Sequence, residues 1–588
     1  MKPVLRIGGA SAFWGDSALG AIQLVERGDV DVLVFDYLAE LTMSILSAAR
    51  ARDENAGWAS DFVFAAMKPT LKTIAAKNIR VLSNAGGLHP RACAAALEKL
   101  CIEQRVQLKI AVVEGDDLMA RLDDIRAAGL TDLASGRALP DSVVSANAYL
   151  GAGGVKAALD AGAQVVITGR CADSALALGA LMHHFGWASD AYDKLAAGAL
   201  VGHILECGAQ ATGGLFTDWA DVPDWEDIGY PIAEVDADGA FTLAKPAGTG
   251  GMLKAAAVKE QLLYEIGDPR AYLLADVACD FTGVEIKDTQ AGPCVSGAKG
   301  CPPGPCYKTT ITYEDGWKTA AQLTIIGIDA VAKAERTAHA ILARTRKLFR
   351  ALNLGDYSET RIECLGAESA YGPHSRARDV REVALRIAAR HAEKKALDIF
   401  AREIAAAGTS FAPGTTGAGL GRPTPQKLVR LFSCLTPKAW TTPLLRVGAE
   451  ESVVANPGGV EQKALAAVAA APALTGPTRR VRLMDLAHGR SGDKGDSVNI
   501  GVIARRTEDY ELLRRTLTIA VVADYFGYCV EGPIERFELP GIGAVNFLMQ
   551  RALGGGGMAS LRNDPLGKGF AQMLLDCEID APADWRAP

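Results

Sequence analysis

Val4-Leu5-Arg6-Ile7-Gly8-Gly9-Ala10-Ser11-Ala12-Phe13-Trp14-Gly15-Asp16 opens the chain with a short apolar strand that runs straight into a glycine- and acid-bearing loop. The pattern returns four times. Val32 to Phe35 leads into Asp36-Tyr37-Leu38, Arg80 to Ser83 into Asn84-Ala85-Gly86-Gly87, Ile110 to Val113 into Glu114-Gly115-Asp116-Asp117, and Val165 to Thr168 into Gly169-Arg170-Cys171-Ala172-Asp173. Amphipathic segments lie between and after them, among them Ser17 to Arg27, Ala59 to Lys77, Pro90 to Arg105, Ser174 to Phe185 and Lys194 to Cys207. Strand and helix alternating over short connections predict right-handed βαβ units, and so an α/β fold with a large doubly wound, mostly parallel sheet. In such sheets ligands bind beyond the carboxyl ends of the strands, where loops meet helix N-termini. The five loops therefore mark the candidate site.

With 588 residues the chain exceeds what one hydrophobic core serves. Its net charge of -7 and scattered basic residues give no nucleic-acid surface. No apolar run reaches membrane-spanning length and the first residues contain no signal-type apolar region, so a cytoplasmic protein with no membrane partner is expected. The texture changes after Gly213-Gly214. Residues 215–330 read as an excursion, with 216–231 as an extended stretch or lid, and Thr309 to Ile326 as a hairpin turning at Glu314-Asp315-Gly316. Ala330 to Ala351 and Ala377 to Ala407 read as two long helices. An Ala- and Pro-rich stretch gives the division 1–465, linker 466–479, and a C-terminal α+β unit 480–588. In that unit Val481 to Leu486, Val498 to Ala504, Ile534 to Leu539 and Met573 to Ile579 read as strands, with Glu511 to Tyr525 and Gly541 to Leu553 helical.

The candidate chemistry follows from residue type. Asp16, Asp36, Glu114 and Asp173 are candidate acid/base groups, and Glu206 ends a helix where a general base could stand. Gly8, Gly9, Asn84, Gly86 and Gly87 let backbone N–H groups approach a ligand, or simply turn the chain. Thr168, Gly169 and Arg170 open a helix; the guanidinium could clamp a carboxylate or phosphate, while Asp173 or Ser174 could serve only as caps. Cys207 has His203 one turn away as its sole nearby base, against the alternative of a packed thiol. Between two C-terminal strands, His488, Arg490, Ser491, Asp493 and Lys494 form a dense polar loop that could fold as an anion nest or an ordinary ion-paired turn. The twelve cysteines contain no Cys-x-x-Cys pair, and Cys294, Cys301 and Cys306 fit no common zinc spacing, so no metal site is expected. Neither a phosphate-binding Walker loop nor a full Gly-x-Gly-x-x-Gly fingerprint occurs.

The chain resembles the acyclic terpene utilisation AtuA family through Arg6-Ile7-Gly8-Gly9 with Phe13-Trp14-Gly15-Asp16, Asn84-Ala85-Gly86-Gly87, Thr168-Gly169-Arg170-Cys171-Ala172-Asp173 and Glu206-Cys207-Gly208-Ala209-Gln210. His488 to Ser497 and Leu553-Gly554-Gly555-Gly556-Gly557 are similar to the ferredoxin-fold domain often fused to that family. The resemblance implies a ferredoxin-like C-terminal domain and a place in citronellol- or geraniol-type catabolism, where acids are processed as branched acyl-CoA thioesters. It carries no catalytic residues over.

Two readings follow. The first is a cofactor-free hydratase or lyase on a branched acyl-CoA or carboxylate, since no flavin, nicotinamide or biotin signature is present. The second is a non-catalytic acyl-CoA-binding or assembly subunit of the same pathway. For either, a homo-oligomer is expected.

Overall fold

A computed structural model describes residues 2–417, 421–462, 465 and 471–587. Five strands lie side by side and parallel in the order Val4–Gly9, Val32–Phe35, Arg80–Ser83, Val165–Thr168, Ile110–Glu114. All four residues of Val32–Phe35 and all four of Val165–Thr168 are buried, because helices cover both faces. Leu33, Phe35 and Val81 pack with Leu24, Val63 and Leu97 on one side. Ile7, Val34 and Leu82 pack with Leu181, Leu200 and Val201 on the other. The last strand in sequence inserts between two earlier ones, so the winding reverses beside Val165–Thr168.

The sheet as a whole is not mostly parallel. Ile232–Asp236, Phe241–Ala244, Gly292–Ser296 and Glu285–Thr289 extend it antiparallel on one side, and Leu444–Val447 and Glu450–Val453 on the other. The eleven-stranded sheet is mixed. The added strands arrive as hairpins, one turning at Asp238-Gly239, and a tight turn can join only antiparallel neighbours. Much of the 215–330 excursion is therefore sheet edge.

Beside it stands a six-stranded sheet organised on one 21-residue strand, Cys306–Ile326. The expected hairpin at Glu314-Asp315-Gly316 is only a bulge in this strand. Gln426–Pro437 runs along it through the bulge, while Val143–Ala148 and Glu382–His391 take opposite ends, so partners on both sides keep it extended. Ala330–Ala351 is helical as expected. Ala377 to Ala407 is not one helix: Val383, Leu385, Ile387 and Ala389 alternate into the core as strand Glu382–His391, and the helix begins only at Lys394.

The C-terminal unit has its own apolar cluster around Val498, Ile500, Phe526, Phe547 and Leu574. Its antiparallel sheet runs Ala487–Lys494, Ser497–Ala504, Ala544–Met549, Ile534–Leu539. Gly541 to Leu553 thus holds the strand Ala544–Met549 and is not a helix, and Met573 to Ile579 divides between helix Phe570–Leu575 and strand Glu578–Pro582. Val481 to Leu486 is strand only to Arg482 and helical from Leu483, and Glu511 to Tyr525 is two helices, Tyr510–Thr516 and Ile519–Phe526. Ala487–Lys494 is an edge strand, with the turn confined to Gly495-Asp496, so the expected anion-nest loop does not form there. Residues 466–470 of the expected linker lie outside the described residues. Among the described residues no helix is long and apolar enough to cross a membrane.

Candidate functional site

Asp36, Asn84, Asp116, Arg170 and Asp173 all stand just past the carboxyl ends of parallel strands. Glu206 joins them through two close approaches. A Cβ on Gly9 would collide with the Leu205 carbonyl, and one on Gly202 would stand 2.5 Å from Ser174 Cα. Glycine at both positions lets the end of helix Tyr192–Leu205 sit against the first strand and the start of the preceding helix, Ala175–Phe185. As a result Asp36, Asp173 and Glu206 each bring a carboxylate oxygen within 4.8 Å of the others. Gly9→Ala should lower stability by about 1–3 kcal/mol, by overpacking, and push Glu206 away. A urea midpoint equal to wild type would refute this packing account.

Each acid is held differently. Asp36 is buried and accepts from Asn84 Nδ2 at 2.6 Å and Leu38 N at 3.1 Å. Burial, then the charge of Asp173, pushes its carboxyl well above the usual carboxylate range, against the pull of Arg170 and Asn84. Asp173 is the most open of the three, its side chain 31% exposed, and pairs with Arg170 at 2.9 Å. Glu206 accepts from or shares a proton with His203 Nδ1 at 3.0 Å, while its Oε2 is buried without a hydrogen-bond partner. Burial raises the Glu206 carboxyl despite His203; burial opposes charge on His203, yet the Glu206 carboxylate beside it raises that ring's pKa.

Arg170 stands behind the acids. Its buried guanidinium donates to the Leu38 carbonyl and Asp173 and lies 4.1 Å from the Tyr149 ring centre; Lys308 Nζ is 4.8 Å from the same centre. Asp116, pushed up to about 7 by burial, accepts from Arg170 N at 3.0 Å and Asn147 Nδ2 at 2.8 Å, and so shapes the Thr168–Ser174 loop. Asp116, Asn147, Tyr149 and Lys308 were not among the candidates. The alternation in Val143-Val144-Ser145-Ala146-Asn147-Ala148 was the available signal for the strand that carries Asn147.

Other candidates fall elsewhere. Asp16 closes its own loop, accepting from Ala12 N at 2.9 Å, Ser17 N at 2.7 Å and Tyr230 Oη at 3.2 Å. Glu114 pairs with Arg91 at 2.6 Å. Gly8 lies within the first strand, where Gly9 N donates to Pro231 O; Gly87 N donates to Asn84 O and Gly169 N to Val113 O. Gly86 packs on Thr168, whose hydroxyl donates to Gly169 O. His203 has both ring nitrogens engaged, by Glu206 and the Leu262 carbonyl, so it does not activate Cys207, whose thiol burial raises well above its usual range. All twelve cysteines are free, and Cys294, Cys301 and Cys306 lie on three different strands.

The C-terminal candidates form a seam with the large domain. Residues 488, 490 and 492 of the edge strand face it, and 489 and 491 face their own core. Arg490 donates to Gln210 and to Leu215 O, His488 meets Asp218 at 3.0 Å, and Gly492 packs on Tyr264. Ser491 Oγ donates to Gly567 O at 2.7 Å, Asp493 lies 3.6 Å from Lys568, and Lys494 is exposed. Thr217 Oγ1 both donates to Gly489 O and accepts from its N–H, covering the open strand edge. Residues 216–218 therefore act as a docking segment rather than a lid.

The sequence model of the acyclic terpene utilisation family protein AtuA matches residues 5–446. The chain belongs to the AtuA family. A second model, the AtuA ferredoxin-like domain, matches residues 481–580, which contain the C-terminal antiparallel sheet. No curated protein and no solved structure matches the chain. AtuA membership ties it to acyclic terpene utilisation. Within this AtuA chain the carboxylate group belongs to the large domain, and the ferredoxin-like domain docks on the segment that follows Glu206.

Proposed function

We propose that this AtuA-family chain is an enzyme of acyclic terpene or related branched-chain acid catabolism, a hydratase or lyase acting on a branched acyl-CoA or the related carboxylate. The supporting observation is the meeting of Asp36, Asp173 and Glu206, with Arg170 behind them, at the strand ends. Carboxyl groups in unlike surroundings divide acid and base work between them. In the dehydrating direction Asp173 takes the proton from the carbon next to the thioester carbonyl, and the electron pair moves onto the carbonyl oxygen as an enolate. The pair returns to form the carbon–carbon double bond as the β-carbon to oxygen bond breaks. The Asp36 carboxyl, kept protonated by its burial, gives its proton to the departing hydroxide, which leaves as water. Hydration is the reverse. Arg170 is a positioning residue here, fixing Asp173 and balancing its charge.

Calorimetric titration of free CoA, geranyl-CoA and a carboxylated branched acyl-CoA tests the reading. One acyl-CoA is expected to bind in the micromolar range, and Arg170→Ala, which also removes the tie to the Leu38 carbonyl that holds two strand-end loops together, to weaken it at least tenfold, about 1.4 kcal/mol. Failure of every thioester to bind would overturn the acyl-CoA assignment. Tight binding with neither hydration, dehydration nor cleavage would make the chain a binding subunit.

A further inference from the structure

We propose that Asp36, Asp173 and Glu206 together bind one hard divalent cation of the Mg2+ or Mn2+ class. The inference deepens the reading of this site and rests on it for its catalytic consequence, but the binding claim stands on geometry. All-oxygen carboxylate sets suit Mg2+ and Mn2+, and oxygens about 2.1 Å from one Mg2+ ion lie about 3–4 Å from each other. The three side chains, from three separate strand or helix ends, already place their oxygens within 4.8 Å.

A second observation points to a ligand. Glu206, its side chain only 10% exposed, gives Oε1 to His203, and Oε2 is out of solvent with no hydrogen-bond partner. A carboxylate oxygen buried without a partner is costly, and a cation would remove that cost. Charge supports the same conclusion. Arg170 pairs with Asp173, but among the described residues neither Asp36 nor Glu206 has an ion pair to lysine or arginine.

The surrounding contacts are those that orient ligands. Asn84 donates to Asp36 Oδ1, and His203 braces Glu206 while its other nitrogen meets the Leu262 carbonyl. Asp173, the most open ligand, leaves room for water or substrate in the remaining positions. A cation there would displace the proton from Asp36, and its Lewis acidity would then draw on the departing oxygen in place of that proton.

The test is Mn2+ binding to the full chain after chelation and dialysis, read by loss of the free-ion spin-resonance signal and by calorimetry, with Mg2+ as competitor. One site per chain is expected. Glu206→Gln and Asp173→Asn should each weaken it by about tenfold or more, while Glu114→Gln, at the pair with Arg91, leaves it unchanged. Circular dichroism identifies a variant that fails to fold, and the other ligand variant then decides. No Mn2+ or Mg2+ binding to folded wild type, or equal binding by folded ligand variants, overturns the proposal. Mn2+ bound without any acyl-CoA turnover leaves the cation site standing and removes the hydratase reading. Turnover that survives chelation, in a protein that binds no Mn2+, does the opposite.

Discussion

Asp36→Asn and Asp173→Asn should each lower turnover of the branched acyl thioester by about 10²–10⁴-fold, the range of general acid–base catalysis, while substrate binding stays near wild type. Measured in chelator, Asp36→Asn should melt above the wild type, whereas Asp173→Asn should melt below it, because it removes the carboxylate that pairs with the buried Arg170. The amide introduced by Asp36→Asn would keep an Oδ1 acceptor for Asn84 Nδ2 and Leu38 N, and it cannot ionise opposite Asp173 and Glu206. Sites built for chemistry carry such strain, and neutralising them commonly adds about 0.5–2 kcal/mol. Steady-state kinetics with thermal denaturation checks both halves. Full turnover in both variants would end the acid–base reading, and a lower melting point in Asp36→Asn would show that the carboxylate stabilises the fold.

The domain seam should loosen in acid. His488 is pushed down to about 4 by burial and by Arg505, with Lys259 adding to the effect and Asp218 opposing it. The His488 ring meets Asp218 at 3.0 Å and Arg505 Nη1 at 3.1 Å through Nε2, stacks on Phe216, and leaves Nδ1 buried without a hydrogen-bond partner. The folded ring thus binds its proton less readily than the unfolded one. Stability from this source is full above the ordinary value near 6.5 and falls as pH drops toward 4, by roughly 3 kcal/mol at most.

Asp218, held down to about 2 by hydrogen bonds from Arg505 and by His488, acts in the same direction. Its contribution is complete above its ordinary value and disappears between about pH 4 and pH 2, amounting to about 1 kcal/mol after allowance for solvent screening. Denaturant midpoints measured from pH 7 to pH 4 should therefore decline. His488→Asn should flatten the decline, and a slope identical to wild type would show that His488 does not drive it.

The parallel centre was legible because Val32-Leu33-Val34-Phe35 and Val165-Val166-Ile167-Thr168 are short, unbroken and β-rich, and each ends at a loop of glycine or acid. The antiparallel edges were not. Glu450–Val453 is wholly exposed and Glu285–Thr289 buries only Ile286, so neither shows an apolar pattern. Arg386 and Arg390 made strand Glu382–His391 look like part of a charged helix; both arginines turn out to be ion-paired with Glu363 and Glu359.

At the site, Asp36, Arg170 and Asp173 could be found from strand ends alone. Choosing between Glu114 and Asp116 required knowing which way each side chain faces: Glu114 meets Arg91, whereas Asp116 turns into the core beside Asn147. Glu206 was a candidate by type, yet its place beside Asp36 depends on backbone contacts at Gly9 and Gly202 that only the folded chain reveals.

The seam also orders events during synthesis. Arg490 reaches back 280 residues to Gln210, and Asn546 reaches 280 residues back to Ile266. At translation rates of about 5–20 residues per second, helix Ala255–Leu263 and the Phe216–Asp218 segment must wait roughly 15–60 s for the strands that cover them. During that interval the nascent large domain leaves uncovered a face in which Leu263, Ile266 and Val284, which later share one apolar cluster with Ile503, Leu539 and Ala544, stand with the acid Asp218.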